Sequence, residues 1–319
     1  MKYRNRLLAL VLSAFLPANA AHSSPRPKAK PEWNCPDQRL TAIDLFKSRS
    51  SRQQENASQS GIVWIPLDSL AARSPAQRRE VLLKSVRAQI EGRHSTLDMK
   101  ELDRVLGVMR TIPRELFVPP AQRSAAYLPL SVDIGFCQTL SDAYIVALMT
   151  SAAHVGQDAN VLDVGTGSGY QAALLARLAK HVQSVEIVPQ LAEQARNRLR
   201  RMGYRNVNVV TADGYAGWPP RAPFDVIIVA AGSTSIPQPL LDQLKPGGRL
   251  IMPVGPTVLE EELVVATRNR AGAITRCTLG LAAFVPMTGQ AQGSVGSSSI
   301  QGIKNTPTRL PWCYTVAVS

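Results

Sequence analysis

The residue types that could do chemistry gather between positions 160 and 215. Val161-Leu162-Asp163-Val164 reads as a short strand that runs into Gly165-Thr166-Gly167-Ser168-Gly169, and a helical stretch follows. Glycines in such a turn let the backbone bend sharply and let a ligand approach without meeting a Cβ. The spacing is G-x-G-x-G, not the G-x-G-x-x-G of dinucleotide binding. Two carboxylates stand at the ends of the next two apolar runs: Glu186 in Ser184-Val185-Glu186, and Asp213 just before Gly214 in Thr211-Ala212-Asp213-Gly214. A carboxylate at a strand end can accept hydrogen bonds from both hydroxyls of a ribose. A second one, with the backbone beside it, can reach an adenine edge. Either acid alone could be an ordinary exposed side chain; at successive strand ends after a glycine loop they point to a nucleoside site. Asp163 lies inside the first strand, where it either organises the loop or faces a cofactor's amino group.

These residues need a sheet to hold them. Apolar runs recur at 161–164, 182–188, 207–210, 226–230, 250–254 and 263–266, with helical stretches between, clearest at 171–180 and 190–202. Strand–helix alternation predicts an α/β fold with a doubly wound, mostly parallel, Rossmann-like sheet. Its ligand crevice should lie at the carboxyl ends of the strands. A helical extension precedes it. Ser74-Pro75 reads as an N-cap followed by proline at the first helical position, and Leu82, Val86 and Ile90 follow at intervals of four. A second helix is expected to start near Ser95, with Asp98 completing a loose capping box. Leu102, Val105, Leu106, Met109 and Ile112 give it an apolar face before Pro113 ends it.

The 319 residues carry 45% hydrophobic and 18% charged side chains, the balance of a chain that buries a core. Aromatics make up only 5%, which argues against stacking platforms for single-stranded nucleic acid. The net charge of +13 raises anionic partners as a class. Lys2, Arg4 and Arg6, the apolar run from Leu7 to Leu16 and Ala18-Asn19-Ala20 form the three parts of a secretory leader. Export to the periplasm with no transmembrane span after cleavage is therefore expected. The four histidines and four cysteines show no metal-ligand spacing. Cys137 reads as a small packed residue, whereas Cys35 and Cys313, one in each extension, could pair in an oxidising compartment. The run Arg196-Asn197-Arg198-Leu199-Arg200-Arg201 reads as a solvated helix face, and no nucleic-acid partner is expected. The resulting division is a leader over 1–20, a linker over 21–73, a helical and substrate-recognition segment over 74–152, a nucleoside-binding domain over 153–290 and a tail over 291–319.

The glycine loop with its two acids resembles the Rossmann-like methyltransferases that use S-adenosylmethionine. Further stretches narrow the resemblance. Ala212-Asp213-Gly214-Tyr215-Ala216-Gly217-Trp218, with Ala222-Pro223-Phe224-Asp225, is similar to the signature of the protein-L-isoaspartate O-methyltransferases. So are Ile112-Pro113-Arg114-Glu115-Leu116-Phe117-Val118-Pro119, Gln138-Thr139-Leu140-Ser141, the stretch 236–255 and Phe284-Val285-Pro286-Met287-Thr288-Gly289. The resemblance spans roughly residues 78–289. It implies methyl transfer to the free α-carboxyl of L-isoaspartyl residues in damaged proteins and peptides, by a monomer. It places Asp163, Gly165, Thr166, Gly167, Ser168, Gly169, Glu186, Asp213, Gly214 and Thr288 at the cofactor. Thr139, Leu140 and Ser141 fall at the substrate, with Ser141 as the active-site serine.

The chemistry suits those residues. A carboxylate is already anionic at neutral pH, so its attack on a sulfonium methyl needs alignment more than a general base. Ser141 is accordingly expected to orient the carboxylate, and also to cap the helix that follows it. The chain departs from the family pattern at Cys137, at Ala143 and at Glu260-Glu261-Glu262, whose charges would repel an anionic substrate unless they point away. The family's usual location is cytoplasmic, where S-adenosylmethionine is made, in conflict with the leader. Two other readings stay open. One is a methyltransferase of the same fold acting on another carboxylate, a small molecule or RNA. The other is a non-catalytic envelope binding protein that keeps the fold.

Overall fold

A computed structural model describes residues 72–289, with Leu259 excepted, all within one compact unit, Asp37–Ser319. The leader, the linker as far as 71, the tail and the Cys35–Cys313 pair fall outside the described residues.

The first helix, α1 (Pro75–Arg93), starts where the sequence places it. Ser74 Oγ accepts from Gln77 N at 3.3 Å, and Gln77 Oε1 accepts from Ser74 N at 2.9 Å. This reciprocal box satisfies two helix-terminal donors. The second, α2 (Met99–Thr111), begins four residues later than the expected Ser95. Asp98 is its N-cap, accepting from Lys100 N at 2.9 Å and Glu101 N at 3.4 Å. A carboxylate that takes two orphan N–H groups also complements the positive end of the helix dipole. Leu102, Val105, Leu106 and Met109 turn inward, as the periodicity predicts. A short hairpin follows, β1 (Val132–Gly135) and β2 (Gln138–Leu140). Next comes α3 (Ala143–Ala153), an almost fully buried helix that packs on α1, α2 and the sheet.

The sheet follows in chain order: β3 (Asn160–Val164), α4 (Tyr170–Ala176), β4 (His181–Glu186), α5 (Pro189–Arg201), β5 (Val207–Thr211), β6 (Phe224–Val229), α6 (Gln238–Asp242), β7 (Leu244–Val254), β8 (Glu261–Arg268) and β9 (Ile274–Ala282). Its order is β5-β4-β3-β6-β7-β8-β9. Neighbours from β5 through β7 run parallel, and β7, β8 and β9 form an antiparallel meander. The mostly parallel α/β sheet is therefore present. Val161–Val164 of β3 are buried on both faces, as a central parallel strand requires. One core lies between β3 and α1–α5, and the other gathers Leu162, Val164, Phe224 and Ile227 with Leu240 of α6.

Three elements differ from the sequence reading. The hairpin β1–β2 and the edge strand β9 carry no apolar run. Of β9, only Cys277 and Leu279 are buried, because a strand at the sheet edge with one face covered needs few apolar residues. The helix expected over 171–180 stops at Ala176. Lys180 N and His181 N both donate to Ala159 O, at 3.1 and 3.2 Å, so the chain leaves the helix early to enter β4. Cys137 and Cys277 are both disulfide-bonded, so Cys137, expected as a small packed residue, is not a free thiol. Among the described residues no helix is long and apolar enough to cross a membrane.

Candidate functional site

The carboxyl end of β3 feeds the glycine loop, and the loop is pinned to β4. Gly165 N and Thr166 N donate to Val185 O at 2.9 and 3.2 Å. Gly167 N donates to Glu186 Oε2 at 2.7 Å, while Glu186 Oε1 accepts from Val188 N at 2.9 Å. Gly165, Gly167 and Gly169 all take positive φ, +87°, +51° and +87°, a region costly for residues with a Cβ. At Gly169 a Cβ would also come within 3.3 Å of Leu199 on α5, so this glycine serves helix packing.

Asp163 is fully buried beneath the loop. Its Oδ2 accepts from Ser184 Oγ at 2.7 Å, and Ser184 Oγ lies 2.5 Å from Thr166 Oγ1. Asp163 is thus tied through Ser184 to Thr166 of the loop, and it does not line the cleft above it. Burial pushes its carboxyl up to about 7, against the Ser184 hydrogen bond. Glu261 is also buried, and burial pushes it up to about 7. Unfolded carboxylates titrate near 4, so between those values the native state holds more protons. Its stability is greatest at the acid end and is lost as pH rises through about 7. Thermal unfolding of the ligand-free protein should therefore show a midpoint that falls from about pH 5 to pH 8. Asp163→Asn, which keeps an acceptor for Ser184, should flatten that fall; an unchanged slope would contradict the account.

The cleft lies between the glycine loop, the Gln138–Ser141 segment and the strip 284–288. The register of the hairpin, Val132 with Leu140 and Asp133 with Thr139, carries that segment to the cleft wall. Ser141 does not cap α3. The N-cap is Asp142, whose side chain accepts from Tyr144 N at 3.1 Å. Ser141 is instead held by its main chain, through Arg114 Nη2 donating to its carbonyl at 2.6 Å. Ser141 lines the cleft, and its hydroxyl has no capping duty. On the far wall, Gly232 N donates to Val285 O at 2.9 Å and Met287 N to Gly232 O at 2.7 Å. Glu261 Oε2 accepts from Phe284 N at 2.8 Å, so this acid sits beneath the strip. Glu260 lies exposed and Glu262 half-buried in β8.

Of the expected site residues, Thr139, Leu140, Ser141, Gly165, Thr166, Gly167, Ser168, Glu186, Gly214 and Thr288 line one cleft. Asp163, Gly169 and Asp213 do not. Asp213 caps the turn at Gly214–Ala216, accepting from Tyr215 N at 2.9 Å. Sequence reasoning missed Gln138, Gln171, Ala230, Ala231 and Met287. Ala230 and Ala231 follow the end of β6, and the rule that ligands sit at strand carboxyl ends would have found them. Gln171 gives no such signal; it looks like the first turn of a helix and is buried by its bond to Thr150 Oγ1 at 3.0 Å.

The profile of the protein-L-isoaspartate(D-aspartate) O-methyltransferases matches residues 93–292. Protein-L-isoaspartate O-methyltransferase 2 of Syntrophobacter fumaroxidans is 50% identical over 186 residues, 58% of this chain and 75% of the relative. A solved protein-L-isoaspartate O-methyltransferase superposes with a TM-score of 0.56 at 25% identity, covering 67% of each chain. A beta-aspartate methyltransferase from Plasmodium falciparum, solved in complex with S-adenosyl-L-homocysteine, shares the fold with a TM-score of 0.54 at 21% identity, over 66% of this chain and 98% of that one. With a matching profile over more than half its length and a site assembled from the same stretches, the chain belongs to the protein-L-isoaspartate(D-aspartate) O-methyltransferase family.

Proposed function

We propose that the chain methylates the free α-carboxylate of L-isoaspartyl residues in damaged proteins and peptides, with S-adenosylmethionine as donor. One observation carries the reading. Ser141, which has no helix-capping duty, lines the same cleft as Glu186 and the glycine loop. The residues present fit the cofactor. Each oxygen of Glu186 accepts one backbone N–H, which leaves lone pairs for two ribose hydroxyls. Gly214, which also lines the cleft, lies so close to Val164 that a Cβ there would collide.

S-adenosylmethionine supplies an electrophilic methyl group on a sulfonium, and its transfer yields a carboxyl methyl ester and S-adenosylhomocysteine. The protein's share is positional. Ser141 donates a hydrogen bond to one carboxylate oxygen and so aims the other at the methyl carbon. Glu186 and the glycine loop fix the nucleoside, and the strip 284–288 closes the opposite wall. No side chain has to take a proton, because the nucleophile is already an anion. Of the acids expected to repel it, Glu261 is held under the strip, where burial favours its neutral form.

Labelled methyl transfer to an isoaspartyl peptide, beside the matching aspartyl peptide, tests the reading; no transfer to the first would overturn it. Ser141→Ala should lower kcat about tenfold, the worth of one hydrogen bond to a charged group, while the affinity for S-adenosylhomocysteine stays the same. Unchanged turnover would remove Ser141 from the reaction. The leader pattern of residues 1–20 further supports an exported enzyme, which requires S-adenosylmethionine outside the cytoplasm. Fractionation of cells carrying the tagged full chain checks this.

A further inference from the structure

The arginine run on α5 has no part in the proposed reaction, and the fold divides it. Arg196 Nε donates to Val209 O at 3.1 Å, and Arg200 Nη2 to Asn197 Oδ1 at 3.2 Å. Arg198 and Arg201, three residues apart and so on one helix face, line a second cleft of about 480 Å³ together with Arg123. Apart from Ser168 and Gln194, the rest of its walls are apolar, among them Phe117, Ile134, Leu191 and Leu116, which is 42% exposed. No carboxylate among the described residues lines it.

The cationic side is partly fixed in place. Arg198 Nη1 donates to Ser168 O at 2.7 Å, and its guanidinium stands 5.9 Å over the Phe117 ring. Burial first, and the nearby Arg201 second, hold the Arg198 pKa below its ordinary value. An arginine in that setting is under-compensated, and an incoming anion would relieve it. The second cleft also adjoins the first. Ser168 lines both. Ile134 comes within 3.3 Å of where a Cβ on Gly167 would stand, and it belongs to the strand whose partner leads into Ser141. A polypeptide seated with one carboxylate at Ser141 has that shared wall as its path into the second cleft.

We propose that this second cleft is an exosite for the polypeptide substrate, taking an acidic side chain a few residues from the isoaspartyl position. The proposal rests on the methyltransferase reading and gives it a sequence preference. The apolar walls accept the stem of the flanking residues, and the guanidinium groups take the carboxylate, whose geometry they match.

Two isoaspartyl peptides that differ only by Glu or Gln at flanking positions test it. The Glu peptide should show a KM about tenfold lower at low salt, as one charge-assisted hydrogen bond provides. Added salt should narrow the gap. In the double variant R123Q/R201Q, which changes two exposed side chains and leaves Arg198 in place, the gap should narrow while the Gln peptide keeps its kcat. Equal KM values for two peptides that are both methylated would overturn the exosite alone, as would an undiminished gap in the double variant. Methylation of neither peptide would overturn the exosite together with the reaction it serves.

Discussion

Replacing Glu186 by alanine is expected to weaken binding of S-adenosylhomocysteine by about a hundredfold or more. Two hydrogen bonds from ribose hydroxyls to a carboxylate are each worth ~1.5–3 kcal/mol, and 1.4 kcal/mol is a factor of ten. The effect is larger than for an exposed acid because the carboxylate is only 5% exposed. Little water competes for it there, and the loss cannot be made good by solvent. It also has a second component. Glu186 accepts from Gly167 N at 2.7 Å and Val188 N at 2.9 Å, so the alanine variant frees the tip of the glycine loop as well as the ribose. Glu186→Gln keeps an acceptor but loses the charge, and should fall between the two. Calorimetric titration measures both. An alanine variant that binds within about threefold of the wild type, less than one ordinary hydrogen bond, would remove Glu186 from the nucleoside site.

Glu186 was legible before any fold was known, and the reason is physical. Positive φ values at 165, 167 and 169 can be met cheaply only by glycine, so the turn announces itself in residue types, and the acid at the next strand end follows from topology. Features that depend on competition between neighbours were less legible. Ser95 and Asp98 are both good caps, as are Ser141 and Asp142, and spacing does not rank them. In both cases the carboxylate took the helix end. At α3 that outcome matters for function, because it releases the Ser141 hydroxyl. The three acids at 260–262 look alike in the sequence, yet only Glu261 is tucked under the strip that walls the cleft. Partners far apart in the chain stayed invisible: the Asp163–Ser184–Thr166 chain joins two strands, and the disulfide state of Cys137 and Cys277 follows from no local pattern.

Arg114 illustrates the same limit and should show the largest effect away from the cofactor. Nothing in Ile112-Pro113-Arg114-Glu115 marks Arg114 as buried, yet it is 1% exposed. Its Nε donates to Ala126 O at 2.8 Å and its Nη2 to Ser141 O at 2.6 Å. The guanidinium lies 5.0 Å from the centroid of Tyr170, the first residue of the helix behind the glycine loop. One buried fork thus joins the substrate segment, the 112–127 stretch and the cofactor helix. Burial pulls its pKa below the ordinary value, while Tyr170 and then Asp142 push it back up; a guanidinium stays charged throughout. Arg114→Met would leave the buried Ala126 carbonyl without this donor, at ~1–3 kcal/mol, and the part-buried Ser141 carbonyl as well, and the thermal midpoint should drop. The decisive readout is elsewhere, because a structural role alone would predict that drop too. A positioning role predicts that the enzyme which remains folded binds S-adenosylhomocysteine as before but turns over slowly. Misplacing Ser141 by ~1 Å can cost up to about a hundredfold in rate. Arg114→Lys separates the two effects further. It keeps the charge, but a single ammonium cannot span both carbonyls with the planar fork, so kcat should still fall by about tenfold with a smaller loss of stability. If the lysine variant retained full kcat, Arg114 would be a packing residue, and the placement of Ser141 would have to come from the α3 cap and the hairpin alone.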